Sequence, residues 1–99
     1  MEGFDDIIHQ PLRLRIMAAL HAARKFEPLE FARLKRLTGA TDGNLGSHLN
    51  ALEGAGYLAI TKDFVGKRPR TRAAITMAGE RAFRGHTDCL RDLIDEARE

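Results

Sequence analysis

Thr41, Asn44, Ser47 and His48 fall within eight residues, interleaved with Leu45, Leu49 and Leu52 at i, i+4 and i+7. If that stretch is helical, the leucines take one face and the polar side chains the others. An amide, two hydroxyls and an imidazole on an exposed helix face are the groups that read base edges. Asn pairs bidentately with adenine, and Ser and His donate to bases or phosphate. A second constellation follows in Gly66-Lys67-Arg68-Pro69-Arg70, with Arg72 just beyond. Cations at Lys67, Arg68, Arg70 and Arg72 on a proline-stiffened turn neutralise phosphates or enter a minor groove. Both constellations also have a plain structural reading, as a solvated helix face and a solvated turn. The charge density of the turn is higher than solubility asks. Between Leu37 and Lys62 there is no Lys or Arg, so the polar helix itself brings no formal positive charge. Asp42 repels phosphate and is better suited to capping.

Other chemistries find no residues to carry them. His9, His21, His48 and His86 lie in different segments, and none forms a local pair at metal-ligand spacing. No glycine loop of phosphate-cradling type occurs, and Asp5-Asp6 has no partner motif. No enzyme, cofactor or metal is expected. Cys89 is the one cysteine; it reads as a packing residue, with a redox switch against a symmetry mate as the sharper alternative. A lone cysteine closes no internal disulfide, and this fits a reducing cytoplasm.

Several elements must position these groups. Phe4 to His9 reads as a helical turn. Pro11 opens a helix whose inner face is Leu12, Ile16, Met17 and Leu20. Pro28 interrupts the pattern, and Leu29 reads as a very short extended segment. Phe31, Leu34 and Leu37 mark a second helix of about two turns, closed by Gly39. Thr41 and Asp42 cap the third helix, which Gly54 and Gly56 end. Tyr57–Asp63 and Thr71–Ile75 are β-prone and flank a basic turn at Phe64–Pro69, a hairpin pattern. Thr76 caps a last helix over 76–97. The expected fold is therefore mainly α with a β-hairpin wing. It is a winged helix-turn-helix with a long C-terminal dimerisation helix, one domain over residues 1–99. Arg13, Lys35 and Arg36 are further phosphate neighbours in this arrangement, Arg13 having a structural ion pair as its alternative.

Along the last helix Phe83, His86, Leu90, Leu93 and Ala97 step by three, four, three and four, a heptad-like seam widened by Ala82 and Cys89. This is more apolar surface than a small domain covers, and it predicts a homodimer interface. His86 on that seam reads as a pH sensor or as a satisfied interface histidine. Charge is divided in the same way. Of 99 residues, 16 are Lys or Arg and 14 are Asp or Glu, for a net charge of +2. The cations concentrate between Ile60 and Arg84, whereas the chain from Gly85 on is acidic. Such a split suits a protein offering one part to a polyanion and another to a different partner. No apolar run approaches the roughly 20 residues of a bilayer span, so no membrane partner is expected.

Taken together, His9-Gln-Pro-Leu-Arg-Leu-Arg-Ile-Met, Phe31-Ala-Arg-Leu, Leu37-Thr-Gly-Ala-Thr-Asp-Gly-Asn-Leu with His48-Leu49, and Leu52-Glu-Gly-Ala-Gly-Tyr57 resemble winged-helix transcriptional regulators close to the MarR and ArsR families. Phe64-Val-Gly-Lys-Arg-Pro-Arg-Thr71 is similar to their wing, and Ile75-Thr-Met-Ala-Gly79 to the start of their dimerising helix. The resemblance spans about residues 7 to 90. It implies a cytoplasmic homodimer that binds double-stranded DNA, with recognition helix 41–53 in the major groove and wing 64–72 on phosphates or the minor groove. Gly46 stands where relatives often carry serine. The paired cysteines of metal-sensing relatives are missing from the recognition helix, so no metal is implied. An unidentified small-molecule effector would have to lie at the dimer or inter-helix crevice. The competing reading is a winged helix that serves as a protein-interaction module without specific DNA binding.

Overall fold

Three of the four helices start where a side chain satisfies a free amide of the first turn. In the computed structural model, which describes residues 1–99, Gln10 accepts from the Arg13 amide at 2.8 Å and opens α1, Pro11–Ala22. Proline at the first position fits because its missing N–H would have no helical partner. The chain then extends through β1, Leu29–Glu30, into α2, Phe31–Thr38. Gly39 ends α2 in the left-handed conformation (φ 71°), which glycine adopts without a Cβ penalty. Thr41 Oγ1 accepts from the Asn44 amide and starts α3, Asp42–Gly54. Thr76 does the same for α4, Met77–Ala97, accepting from Gly79 at 3.0 Å while its hydroxyl donates to the Gly56 carbonyl.

Between α3 and α4 lie β2, Leu58–Val65, and β3, Arg68–Ile75, in antiparallel register from Leu58↔Ile75 out to Val65↔Arg68. Their turn is two residues long, with Gly66 at φ 64° in its first position. This is the backbone that a tight hairpin of type II′ requires there. The strands run further toward the tip than the β-prone stretches suggested, taking in Phe64 and Pro69. Pro69 is tolerated because it lies one pair inward from the turn-closing pair. At that position its nitrogen points away from β2, and β1 does not reach it. The segment at Leu29 adds a third strand, giving the order β1-β3-β2.

Alternation along the sheet sorts its residues. Leu58, Ile60, Ala73 and Ile75 face the helices and join a core of Ile8, Ile16, Met17, Leu20, Leu34, Leu45, Leu49 and Leu52. Ala59, Thr61, Asp63, Val65, Arg68, Arg70, Arg72 and Ala74 take the other face. α4 crosses the base of the hairpin so closely that Gly79 admits no side chain: a Cβ there would overlap the Tyr57 carbonyl. Only the first half of α4 is held by the rest of the chain. From Arg91 on every residue is exposed.

Residues 4–10 form a strap that ties the first half of α4 down. The Asp5 amide donates to His86 Nδ1 at 2.9 Å, and Tyr57 Oη donates to the Asp5 carboxylate. Because His86 Nδ1 accepts, the neutral ring carries its proton on Nε2. That nitrogen donates to His9 Nδ1 at 3.1 Å. Phe4 closes over both rings, its centroid 4.7 Å from that of His9 and 4.9 Å from that of His86. His86 is 0% exposed. This corrects its expected place on an intersubunit seam: the strap, 77 to 81 residues away in sequence, encloses it within its own chain. Phe83 also turns partly inward, its ring 5.4 Å from His21.

Candidate nucleic-acid interface

With Leu45, Leu49 and Leu52 turned to the core, α3 presents Thr41, Asp42, Gly43, Asn44, Ser47 and Asn50 to solvent. Three of the four polar residues expected to read DNA on this element, Thr41, Asn44 and Ser47, are exposed at its N-terminal end. His48 is half-buried, and its Nδ1 accepts from Arg13 Nε at 2.9 Å. Arg13 thereby fixes the tautomer, leaving Nε2–H as the ring's donor. Burial first, and then the adjacent guanidinium, hold the His48 pKa below its usual value, so this ring works as a neutral donor. Arg13 also donates to the Ile7 carbonyl at 3.0 Å; it is a structural tie between strap, α1 and α3. Lys35 is likewise engaged, 2.8 Å from Asp42.

Beside the N-terminal end of α3 opens a polar cleft of about 560 Å³, bounded by α1 and the α2–α3 turn. Gln10, Arg15, Thr41, Asn44 and His48 line it. Arg15, part of the His9–Met17 motif but not picked out there as a DNA contact, brings an exposed cation to this cleft, while Arg33 and the expected phosphate neighbour Arg36 are exposed on α2 and make no ion pair. Gly46 has nothing within 4 Å of a would-be Cβ, so the mid-helix glycine marks no internal crowding.

In the hairpin the four expected cations separate into two pairs. Arg70 grips Asp63 across the ladder with two parallel bonds, Nε to Oδ1 at 2.8 Å and Nη2 to Oδ2 at 2.7 Å. Arg72, two pairs nearer the base on the same face, adds Nη2 to Oδ2 at 3.2 Å. The Arg70 bonds hold the Asp63 carboxyl below its usual pKa against a smaller opposing effect of burial, and Asp63 in turn raises Arg70. Arg70 and Arg72, both expected to contact DNA, thus brace the wing by holding Asp63. Lys67 and Arg68 make no ion pair and are exposed. Lys62, on the helix-facing side of β2, is also unpaired and exposed; in the sequence it stands out only as part of the basic stretch from Ile60 to Arg84.

A helix-turn-helix followed by a braced cationic hairpin and a long terminal helix defines a winged-helix regulator. Known proteins bear this out. Residues 12–94 match the family described as "Winged helix DNA-binding domain", and the chain belongs to that family. It is 35% identical over 80 residues to the uncharacterized protein MJ0432 of Methanocaldococcus jannaschii, covering 81% of this chain and 84% of that one. Among solved structures it is similar to a transcriptional regulator homologue from Pyrococcus horikoshii OT3, with TM-score 0.82 and 32% identity over 92% of this chain and 87% of that one. A PadR family transcriptional regulator from Eggerthella lenta is similar at TM-score 0.70 and 26% identity, covering 87% of this chain and 83% of that one. The chain is thus a homologue of MarR-, ArsR- and PadR-like regulators, a class of DNA-binding proteins rather than enzymes. No helix is long and apolar enough to cross a membrane.

Proposed function

We propose that the chain, acting over residues 1–99 as one winged-helix unit, binds double-stranded DNA sequence-specifically as a cytoplasmic homodimer. The observation that carries this reading is the pairing of two free surfaces. One is the bare polar N-terminal end of α3, with Thr41, Asn44 and Ser47 exposed. The other is the set of unpaired cations on the wing, Lys62, Lys67 and Arg68. Asn44 and Ser47 reach base edges in the major groove, His48 Nε2–H donates beside them, and the wing cations take phosphates. Two copies join through the end of α4, where Leu90, Leu93 and Ala97 continue the apolar stripe and the exposed Ile94 widens it. A twofold assembly presents two reading helices to a palindromic site.

Selection of duplexes from a randomised pool by the purified chain at about 100 mM salt tests this. The expected product is a palindrome with half-sites about one helical turn apart, bound by a species of twice the chain mass. Recovery of nothing above background by folded protein refutes it. One feature favours a second reading, a protein-interaction module. An apolar cleft of about 750 Å³ between α1 and α2 is lined by Ala18, Ala19, Ala22, Phe26, Leu29 and Leu37, with Phe26 79% exposed. Under that reading partner binding is insensitive to salt and to Lys67→Ala. Within the DNA-binding reading the same cleft is the place for a small apolar effector.

A further inference from the structure

The wing carries a feature that cationic phosphate binding does not use. Phe64 and Val65, at the end of β2, are 70% and 55% exposed. Phe64 lies on the sheet face that packs against the helices nearer the base, but beyond their reach. Its cross-strand neighbour there is Pro69. The pair occupies a non-hydrogen-bonded position of the ladder, where facing side chains come closest. Proline therefore limits the space into which the ring can turn. Further back, the Arg70–Asp63–Arg72 cluster ties the strands together, so the ring sits on a stiff base. Lys62 shares its face of the sheet, Lys67 lies in the turn next to it, and Arg68 stands one pair along on the opposite face; none of the three makes an ion pair. An exposed aromatic ring at the tip of a stiffened hairpin that carries free cations on both faces and in its turn suits insertion into a groove walled by phosphates. It does not suit a solvated turn.

We propose that Phe64 is a wedge: on bound DNA the wing tip enters the minor groove beside the half-site read by α3, and the ring inserts between two base pairs and partly unstacks them. Lys62, Lys67 and Arg68 hold the flanking phosphates while it does so. Opening a step costs least at TA and CA/TG, so the wedge selects such a step at a position no polar side chain reads. This inference rests on the DNA-binding reading above and adds a specificity-determining residue to it.

The test uses the full chain and a duplex it recovers from the randomised pool, resynthesised with 2-aminopurine at successive positions. The fluorescence of that base rises when it is unstacked. Wild type is expected to give a severalfold rise at one step in each half-site, located at a pyrimidine–purine step. Phe64→Ala removes the rise and weakens binding severalfold, while its thermal melt stays at the wild-type position because the ring is exposed. Phe64→Leu, which keeps an apolar wedge, retains part of the rise. Val65→Ala, one residue along on the opposite sheet face, leaves it intact. Lys67→Ala lowers the salt dependence yet keeps the rise at saturating protein. A duplex bound with no rise anywhere, or an equal rise in Phe64→Ala, overturns the wedge and leaves DNA binding standing. Failure of the wild-type chain to retain any duplex overturns both.

Discussion

Asp63 decides which arginines of the wing are available, and this could not be read from the order of residues. In sequence, Arg68, Arg70 and Arg72 are equivalent cations at alternate positions on one strand. The register sets Asp63 directly opposite Arg70 with Arg68 and Arg72 on its two diagonals, and of those two Asp63 bonds only Arg72. A carboxylate on a neighbouring strand at that distance captures the two it can reach. Salt dependence separates the two kinds of arginine. Removing one phosphate-bound cation lowers the slope of log K against log salt by about 0.9. Lys67→Ala and Arg68→Ala are each expected to lower it by about that much, and Arg70→Ala to lower it by far less. In Asp63→Asn the slope rises, because Arg70 and Arg72 are released toward the DNA. Titrations between about 50 and 200 mM salt measure all four. Equal slopes for Arg70→Ala and Arg68→Ala would show that the brace opens on binding.

Helix boundaries were legible at the scale of elements because capping chemistry is local. Thr41, Thr76, Pro11 and Gly39 act on amides and carbonyls within four residues of themselves, so their positions suffice. Leu29 was legible as a short extended segment, but its pairing with β3 and the enclosure of His86 depend on segments distant in sequence, and periodicity carries no record of those. The same division holds within α4. Its stripe is continuous from Phe83 to Ala97, yet the strap and core consume the first half and leave Leu93 at 37% and Ile94 at 53% exposure. A double substitution Leu93→Glu and Ile94→Glu is expected to give a monomer by sedimentation with an unchanged fold by circular dichroism. A persistent dimer would move the interface to another face, with the α1–α2 cleft the next to test. In α3, Gly46→Ala removes an intrinsic helix penalty of about 1 kcal/mol and meets open space. Its melting temperature should rise by about 4–8 °C. If DNA affinity falls in the stabilised variant, the bare backbone at Gly46 is a contact surface; if it holds, the glycine is neutral for binding.

Acid should act on the whole molecule through three histidines that the fold keeps neutral. The pKa of His86 is lowered by its burial and by His9, against a smaller raising effect from Asp5 and Asp6. His48 is lowered by burial and Arg13, and His21 by burial, Arg24 and Arg84, with Glu80 opposing. In the unfolded chain all three titrate near 6.5. Below that pH the unfolded state binds more protons than the folded one, so stability falls as pH falls. It is fully present above about pH 7, where both states are neutral. Protonation of His86 has a specific structural cost: the new Nδ1–H would face the Asp5 amide, donor against donor, and loosen the strap at its link to α4. Melting temperatures measured from about pH 8 to 5 should be level at the alkaline end and fall below about 6.5. His86→Leu should melt lower throughout, since the half-buried Asp5 amide loses its acceptor, at a cost of up to about 1–3 kcal/mol. Its acid slope should nevertheless be shallower than that of the wild type. A wild-type curve that is level through this range, or an equal slope in His86→Leu, would remove the strap histidine from the acid response. The loss would then fall to His48 and His21, and the Arg13–His48 tie between α1 and α3 would be the next bond to substitute.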